Sequence, residues 1–459
     1  MGTSRRVLHN FSHISHKSFR VGRTEPVSQN VYAELGTSKE MASREFLMEH
    51  YSAAIQQELE DKLMNLMADK NSNLNEIDAL IGQGVNINCV NREGLTPLLQ
   101  LVKLNHARND LMDVIHLLLD QNDIDINCKD NEEWNALYYL CRLYQKPNLI
   151  DIILLLIQRG IQVDWTNKLR QNALLLLCQH YPHENMLDII QIFIDNNTNI
   201  RWTDDDGWNA LHHLCNKYKQ SNLVDIIRLL VEHGMDITCN NGGAWNAFHI
   251  LCHEKTEDDC MDLIKLFINL GIDVNSKNNG GWNALHCLCQ NYQKDNLIDI
   301  VRIFIDHGID INCINDNGWN VLHILCNRNT EENLIDLIQL LIDRGIDVNS
   351  KNNWGWNALH FLCKTYKKDN LIDIIRLFIN NGIDIKCNNG SGWNVLHILC
   401  RSCSNLDNLV EMVQLLVENG IDVDCQSHFG RGGNAFQILC KSNANAKLHN
   451  TLKLLLEKN

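Results

Sequence analysis

The tripeptide Trp-Asn-Ala or Trp-Asn-Val begins at Trp134, Trp208, Trp245, Trp282, Trp319, Trp356 and Trp393, and from Trp208 onward every interval is 37 residues. The gap from Trp134 to Trp208 is twice that. Its midpoint falls on Gln171, where Gln171-Asn172-Ala173-Leu174 keeps the frame without the indole. A fixed period of this length predicts a stack of like units, each packed only on its neighbours. A stack also reconciles order with a chain of 459 residues, because single cores stop growing well below that size. With 45% hydrophobic residues, 21% charged residues and four prolines, most of the chain is expected to fold.

One unit reads Gly207-Trp208-Asn209-Ala210-Leu211-His212-His213-Leu214-Cys215, then a polar gap, then Asn222 to Leu230, then Gly234-Met235-Asp236-Ile237. This pattern resembles the ankyrin repeat, which runs Gly-x-Thr-Pro-Leu-His-x-Ala-Ala, a second helix ending in Leu-Leu, and Gly-Ala-Asp-Val-Asn. Here Asn replaces Thr, Ala or Val replaces Pro, and Leu-Cys replaces Ala-Ala. Only Gly94-Leu95-Thr96-Pro97-Leu98 keeps Thr-Pro, and that unit lacks the His. The family period is about 33 residues. The extra residues fall between Cys215 and Gly234, between the two helices, where Tyr144, Tyr181, Tyr218, Tyr292 and Tyr366 recur in phase and are expected to pin a longer turn.

The resemblance implies an all-α repeat solenoid of helix-turn-helix units joined by β-hairpin or turn loops. Asn209 and its equivalents are placed to cap the first helix, and Asn148, Asn185, Asn222, Asp259, Asn296, Asn333, Asn370 and Asn408 the second. An acid follows each second cap at the third position, from Asp151 to Glu411, where the helix dipole favours it. Gly84, Gly160, Gly234, Gly271, Gly308, Gly345, Gly382 and Gly420 stand where the second helix should stop in a left-handed conformation, with Asn197 as substitute.

The domain reading is a basic, disordered arm over 1–38, a lead-in helix over 39–52, and an array over 53–459 of about eleven units, the last incomplete and ending in a helix from Leu448 to Lys458. The arm has the composition of a mitochondrial targeting peptide but lacks an amphipathic helix, and Arg6 stands where myristoylation needs Ser or Thr. Net charge is −15, and five basic residues precede the first acid, Glu25, so the array is more acidic still. Such a surface repels phosphate backbones and disfavours nucleic acid. Eighteen cysteines without an apolar signal segment or a bilayer-spanning run point to a reducing, cytoplasmic setting, with the nucleus as an alternative.

Three sets of residues are candidates for function. Trp134, Trp208, Trp245, Trp282, Trp319, Trp356 and Trp393 would form an aromatic stripe if units stack about 10 Å apart, on the concave side where the resemblance implies that partners dock. Such anchors dominate interface energies, but each indole could equally pack on the neighbouring hairpin. Both readings stay open here. His212, His249, His286, His323, His360 and His397 each precede a Cys by three residues, on one helix face. Two ligands per unit fall short of a closed zinc site, and the family's matching His bonds within the hairpin and helix start, so no metal is expected. Disulfides along that ladder would exceed the bridging distance. Cys128, Cys239, Cys313, Cys387 and Cys425 lie in the hairpin, in phase with Ser276 and Ser350, and are expected to be the more exposed thiols.

No Gly-rich phosphate loop, nucleophile elbow or unexplained carboxylate pair stands out, and no cofactor is expected. The expected function is a non-catalytic, monomeric protein-binding scaffold or adaptor whose partner has a basic surface. The alternative is a substrate-recruiting subunit of a ubiquitin ligase or another multi-protein enzyme complex.

Overall fold

The computed structural model describes residues 38–254, 260–328, 333–402, 408–427 and 433–441. The expected basic arm, the cap at Asp259 and the helix from Leu448 lie outside the described residues. The chain divides into two compact units between Asp61 and Lys62. One helix runs from Ser38 to Ala68 without a break at residue 52. Beyond it, among the described residues, come the helix Leu74–Ile81, nine helix pairs from Pro97 to Glu418, and the helix Ala435–Lys441.

The pair Ala210–Lys217 and Leu223–Glu232 shows why these sequences fold this way. Asn209 is extended (φ −101°) and its side-chain oxygen accepts the backbone N–H of His212, which satisfies a donor that the first turn leaves orphaned. Ala210 to Cys215 are all buried, because this short helix has its own second helix on one side and a neighbouring unit on each flank. The second helix is amphipathic: Leu223, Ile226, Ile227 and Leu230 are buried while Asp225, Arg228 and Glu232 face solvent. It stops at Gly234, whose φ of +92° is open to glycine at no steric cost. Asn197 takes the same role at φ +59°.

The expected second caps are corrected by the structure. Asn148, Asn185, Asn222, Asn296, Asn333, Asn370 and Asn408 occupy the cap position, but none of their side chains accepts a helix N–H. Their backbone turns there with ψ between 8° and 26° in place of the extended cap conformation, as at Asn185 and Asn333. Where the turn carries a tyrosine, the side-chain oxygen instead accepts its hydroxyl: Tyr144 to Asn148 at 2.7 Å, Tyr218 to Asn222 at 2.8 Å and Tyr366 to Asn370 at 2.8 Å. The amide of Asn222 reaches back to Glu184 O at 2.6 Å, and Tyr218 to His183 O at 2.9 Å, one unit earlier. The tyrosines thus pin the long turn and tie it to the preceding one.

Register between units is set at two more levels. Asn127, Asn275, Asn312 and Asn349 each donate to the carbonyl of the next helix-stopping glycine at 2.9–3.2 Å. At the loop tips, backbone amides bond from unit to unit, as Gly242 to Asp206 O at 2.8 Å and Asp316 to Gly280 O at 3.0 Å. No strand forms among the described residues. The loops are turns, with one isolated bridge between Asn240 and Asn246. First helices of successive units pack on one another more extensively than second helices do.

Candidate functional site

The backbone at each tryptophan is held from both sides. The amide of Trp245 donates to Asn241 Oδ1 at 3.0 Å, and its carbonyl accepts from the Asn241 amide at 2.9 Å. The same clamp recurs at Trp282, Trp319, Trp356 and Trp393 through Asn278, Asn315, Asn352 and Asn389. Asp130 and Asp204 replace the asparagine at Trp134 and Trp208. The residue before the tryptophan is left-handed throughout, glycine at Gly207, Gly281, Gly318, Gly355 and Gly392. Glu133 and Ala244 hold that conformation without being glycine, as does Arg170 before Gln171.

From this clamp each indole lies beside the histidine of its own unit, with ring centroids 5.7–6.3 Å apart from Trp208–His212 to Trp393–His397. Trp208, Trp245, Trp282, Trp319, Trp356 and Trp393 are half-buried, so part of every ring remains open. Trp134 departs from the expected stripe: it is 7% exposed, covered by Tyr139 at 5.2 Å and Arg142 at 5.1 Å. It has little surface to offer a partner.

The histidines are buried, and all but His397 are engaged at both ring nitrogens. Nδ1 of His212 accepts the Asn209 backbone N–H at 3.1 Å, which leaves Nε2–H to donate to the carbonyl of Trp245 at 2.9 Å. His286, His323 and His360 repeat this toward Trp319, Trp356 and Trp393. Burial pushes His212, His286, His323 and His360 down to about 4 and lowers His249 and His397. A neutral ring with both nitrogens committed has no lone pair for a metal. Among the described residues no cluster of His, Cys, Asp or Glu is arranged for one.

No disulfide joins the described cysteines. The expected exposure of the loop set holds only in part: Cys128 and Cys239 are half-buried, but Cys313, Cys387 and Cys425 are buried. The thiols of Cys387 and Cys425 lie against the carbonyls of Gly355 and Gly392, 32 and 33 residues earlier. Burial raises Cys239, Cys313 and Cys425 and pushes Cys128 up to about 12. Thiolate reactivity is thereby disfavoured.

Two features of the site escaped the sequence reading. The first lies eight residues after the tryptophan phase, at the exit of the first helix, where the side chain stands over the indole. Lys364 Nζ is 5.1 Å from the Trp356 ring, Arg401 Cζ is 5.3 Å from Trp393, and His253 meets Trp245 edge-on at 5.4 Å. Along the series this position is Lys103, Arg142, Gln179, Asn216, His253, Gln290, Asn327, Lys364 and Arg401, with no acid in a chain whose acids outnumber its bases 56 to 41. The second is the residue after the histidine, which sits between successive indoles. Phe361 fills that gap, 4.4 Å from Trp319 and 5.0 Å from Trp356. The smaller Ile250 and Ile398 leave grooves of about 260 Å³ between Trp208 and Trp245 and about 470 Å³ between Trp356 and Trp393. Around the missing indole at Gln171, tryptophan moves to the loop-cysteine phase as Trp165 and Trp202. The Lys129 ammonium lies over Trp165, and Trp202 Nε1 donates to Arg170 O at 2.6 Å. The sequence signal for this shift was present in the two additional tryptophans that flank the gap.

Among the described residues no helix is long and apolar enough to cross a membrane. A family model described as ankyrin repeats in three copies matches residues 63–167, 145–241, 174–263, 248–352 and 330–427. No curated protein matches the chain. Ankyrin repeats are protein–protein interaction modules, typically non-catalytic. The paired helices, the capped Asn-x-x-His start and the extent of the matches together place this chain in the ankyrin-repeat family.

Proposed function

We propose that this chain is a non-catalytic scaffold or adaptor that grips a protein partner on the concave side of the array. Trp208, Trp245, Trp282, Trp319, Trp356 and Trp393 serve as its anchors. The observation that carries this reading is that the indoles are fixed by their backbones yet remain half-exposed. A pre-ordered aromatic ring gives contact area at little entropic cost. A purely structural indole would be covered, as Trp134 is.

The net charge of −15 favours approach of a partner whose bulk is basic. The acids that create it include the exposed residues of the second helices, such as Asp225 and Glu232. Eighteen cysteines, with no disulfide among the described ones, support a reducing, cytoplasmic setting for a monomeric chain. The test is affinity capture with wild type beside a Trp282→Ala, Trp319→Ala double variant, with far-UV circular dichroism on both. A folded variant that loses the wild-type partner supports the reading. Unchanged capture by a folded variant removes it.

A further inference from the structure

We propose that the groove between Trp356 and Trp393 binds an extended acidic peptide segment, with an apolar side chain on the two indoles and carboxylates on Lys364 and Arg401. This deepens the scaffold reading and rests on it. The groove, about 470 Å³, has the two indoles as walls and Ile398 in its lining, and no acid lines it. Lys364 and Arg401 are exposed, and each lies over an indole face. Among the described residues no carboxylate pairs with either cation, in contrast to Lys103, which Glu93 holds at 2.7 Å. Ser391 and Ser402 add hydroxyls at the same rim.

The charge of this groove is opposite to that of the chain. Units about 10 Å apart match one turn of a peptide in the polyproline II conformation, with three residues per turn at about 3.1 Å each. Such a peptide would present carboxylates three positions apart on one face toward both cations, and a side chain between them would meet the indoles. Arg401 can take a carboxylate in bidentate fashion. A short acidic segment feels mainly these local cations, because screening limits the wider field to about 8 Å. A nucleic acid, charged along its whole length, meets the acid surplus of the array as well.

The experiment pans a random peptide library displayed on phage in parallel on wild type, Lys364→Glu/Arg401→Glu, Lys364→Gln/Arg401→Gln and Trp393→Ala, each checked for fold by circular dichroism. The peptide enriched on wild type is then synthesised and its affinity measured by fluorescence polarisation. The expected peptide carries Asp or Glu around an aromatic or aliphatic residue. Its affinity should fall at least about tenfold on charge reversal, less on neutralisation to Gln, and fall again in Trp393→Ala. Should charge reversal disturb the fold, the neutralised variant decides. Basic or uncharged winners, unchanged affinity after the charge changes, or equal competition by an oligothymidine would overturn the proposal. Winners that depend on Trp393 but are not acidic would sink this inference and leave the scaffold reading standing. The absence of any Trp393-dependent binder would likewise overturn the groove proposal, while the scaffold reading stands or falls on the Trp282→Ala, Trp319→Ala variant.

Discussion

The Nε2 of His212 lies 2.9 Å from the carbonyl oxygen of Trp245, one unit further along the chain. A ring that caps the first helix of one unit thereby holds the backbone that aims the next indole. The pair His286 and Trp319 repeats the contact at 3.2 Å. Replacing His286 by Ala leaves the Asn283 N–H and the Trp319 carbonyl without this partner and empties a fully buried site. The expected cost is about 2–4 kcal/mol, read by urea unfolding. A loss below about 0.5 kcal/mol, the range of neutral surface changes, would show that the bridge contributes little.

These rings also set the response to acid. His212, His286, His323 and His360 titrate near 4 in the folded chain because burial disfavours their charged form. In the unfolded chain they titrate near 6.5. Between these values the unfolded state binds more protons, so stability is full above about 6.5 and falls as pH drops toward 4. At pH 5 the loss is about 2 kcal/mol per ring. The lowered carboxyls of Asp110, Asp204 and Asp236 lose their contribution only below the usual carboxylate range, under the histidine window. Thermal unfolding at pH 7.5, 6 and 5 should show a steep decline, and a flat profile from 7.5 to 5 would contradict the buried neutral rings.

Backbone strain before the tryptophan gives a test of opposite sign. Glu133 sits at φ +66°, where an L side chain costs roughly 1–2 kcal/mol. Glu133→Gly should hold or raise stability by up to about 1 kcal/mol, the relief exceeding the entropy that glycine adds to the unfolded chain. Gly308→Ala, at φ +79° with nothing within 4 Å of the new Cβ, should lose about 1 kcal/mol from conformation alone. Denaturant midpoints decide, and a clear loss at Glu133→Gly would refute the strain argument.

Phe361 fills the space between two indoles that Ile398 leaves open one unit later. Ile398→Phe should close the groove between Trp356 and Trp393 with a stability change of about 1–3 kcal/mol. Binding of the selected acidic peptide should be lost while circular dichroism is preserved. Undiminished binding to folded Ile398→Phe would place the peptide elsewhere.

Much of this was legible in the chain itself. The 37-residue interval predicted a stack, Asn209 predicted its own capping bond, and Gly234 and Asn197 marked left-handed helix stops. What failed depended on neighbours in space. Asn222 looks like any capping asparagine, and only the turn geometry shows that its oxygen is given to Tyr218. Cys313 and Cys387 read as loop thiols, but both are buried, Cys387 against the Gly355 carbonyl that lies far back in the sequence. Trp134 matches Trp208 in sequence and differs in burial where Tyr139 and Arg142 stand in place of His213 and Asn216. Lys364 and Arg401 were visible as letters. Their meaning required knowing that a helix exit eight residues on returns over the indole.

The placement of the partner on the indole row is tested most directly by hydroxyl-radical footprinting of the chain, free and with its captured partner bound, read by mass spectrometry. Oxidation of Trp245, Trp282 and Trp319 should fall several-fold in the complex, as for a desolvated anchor, while Leu154, exposed on a second helix, should react as before. Indoles that oxidise equally in both states, with protection confined to the second helices, would contradict the account.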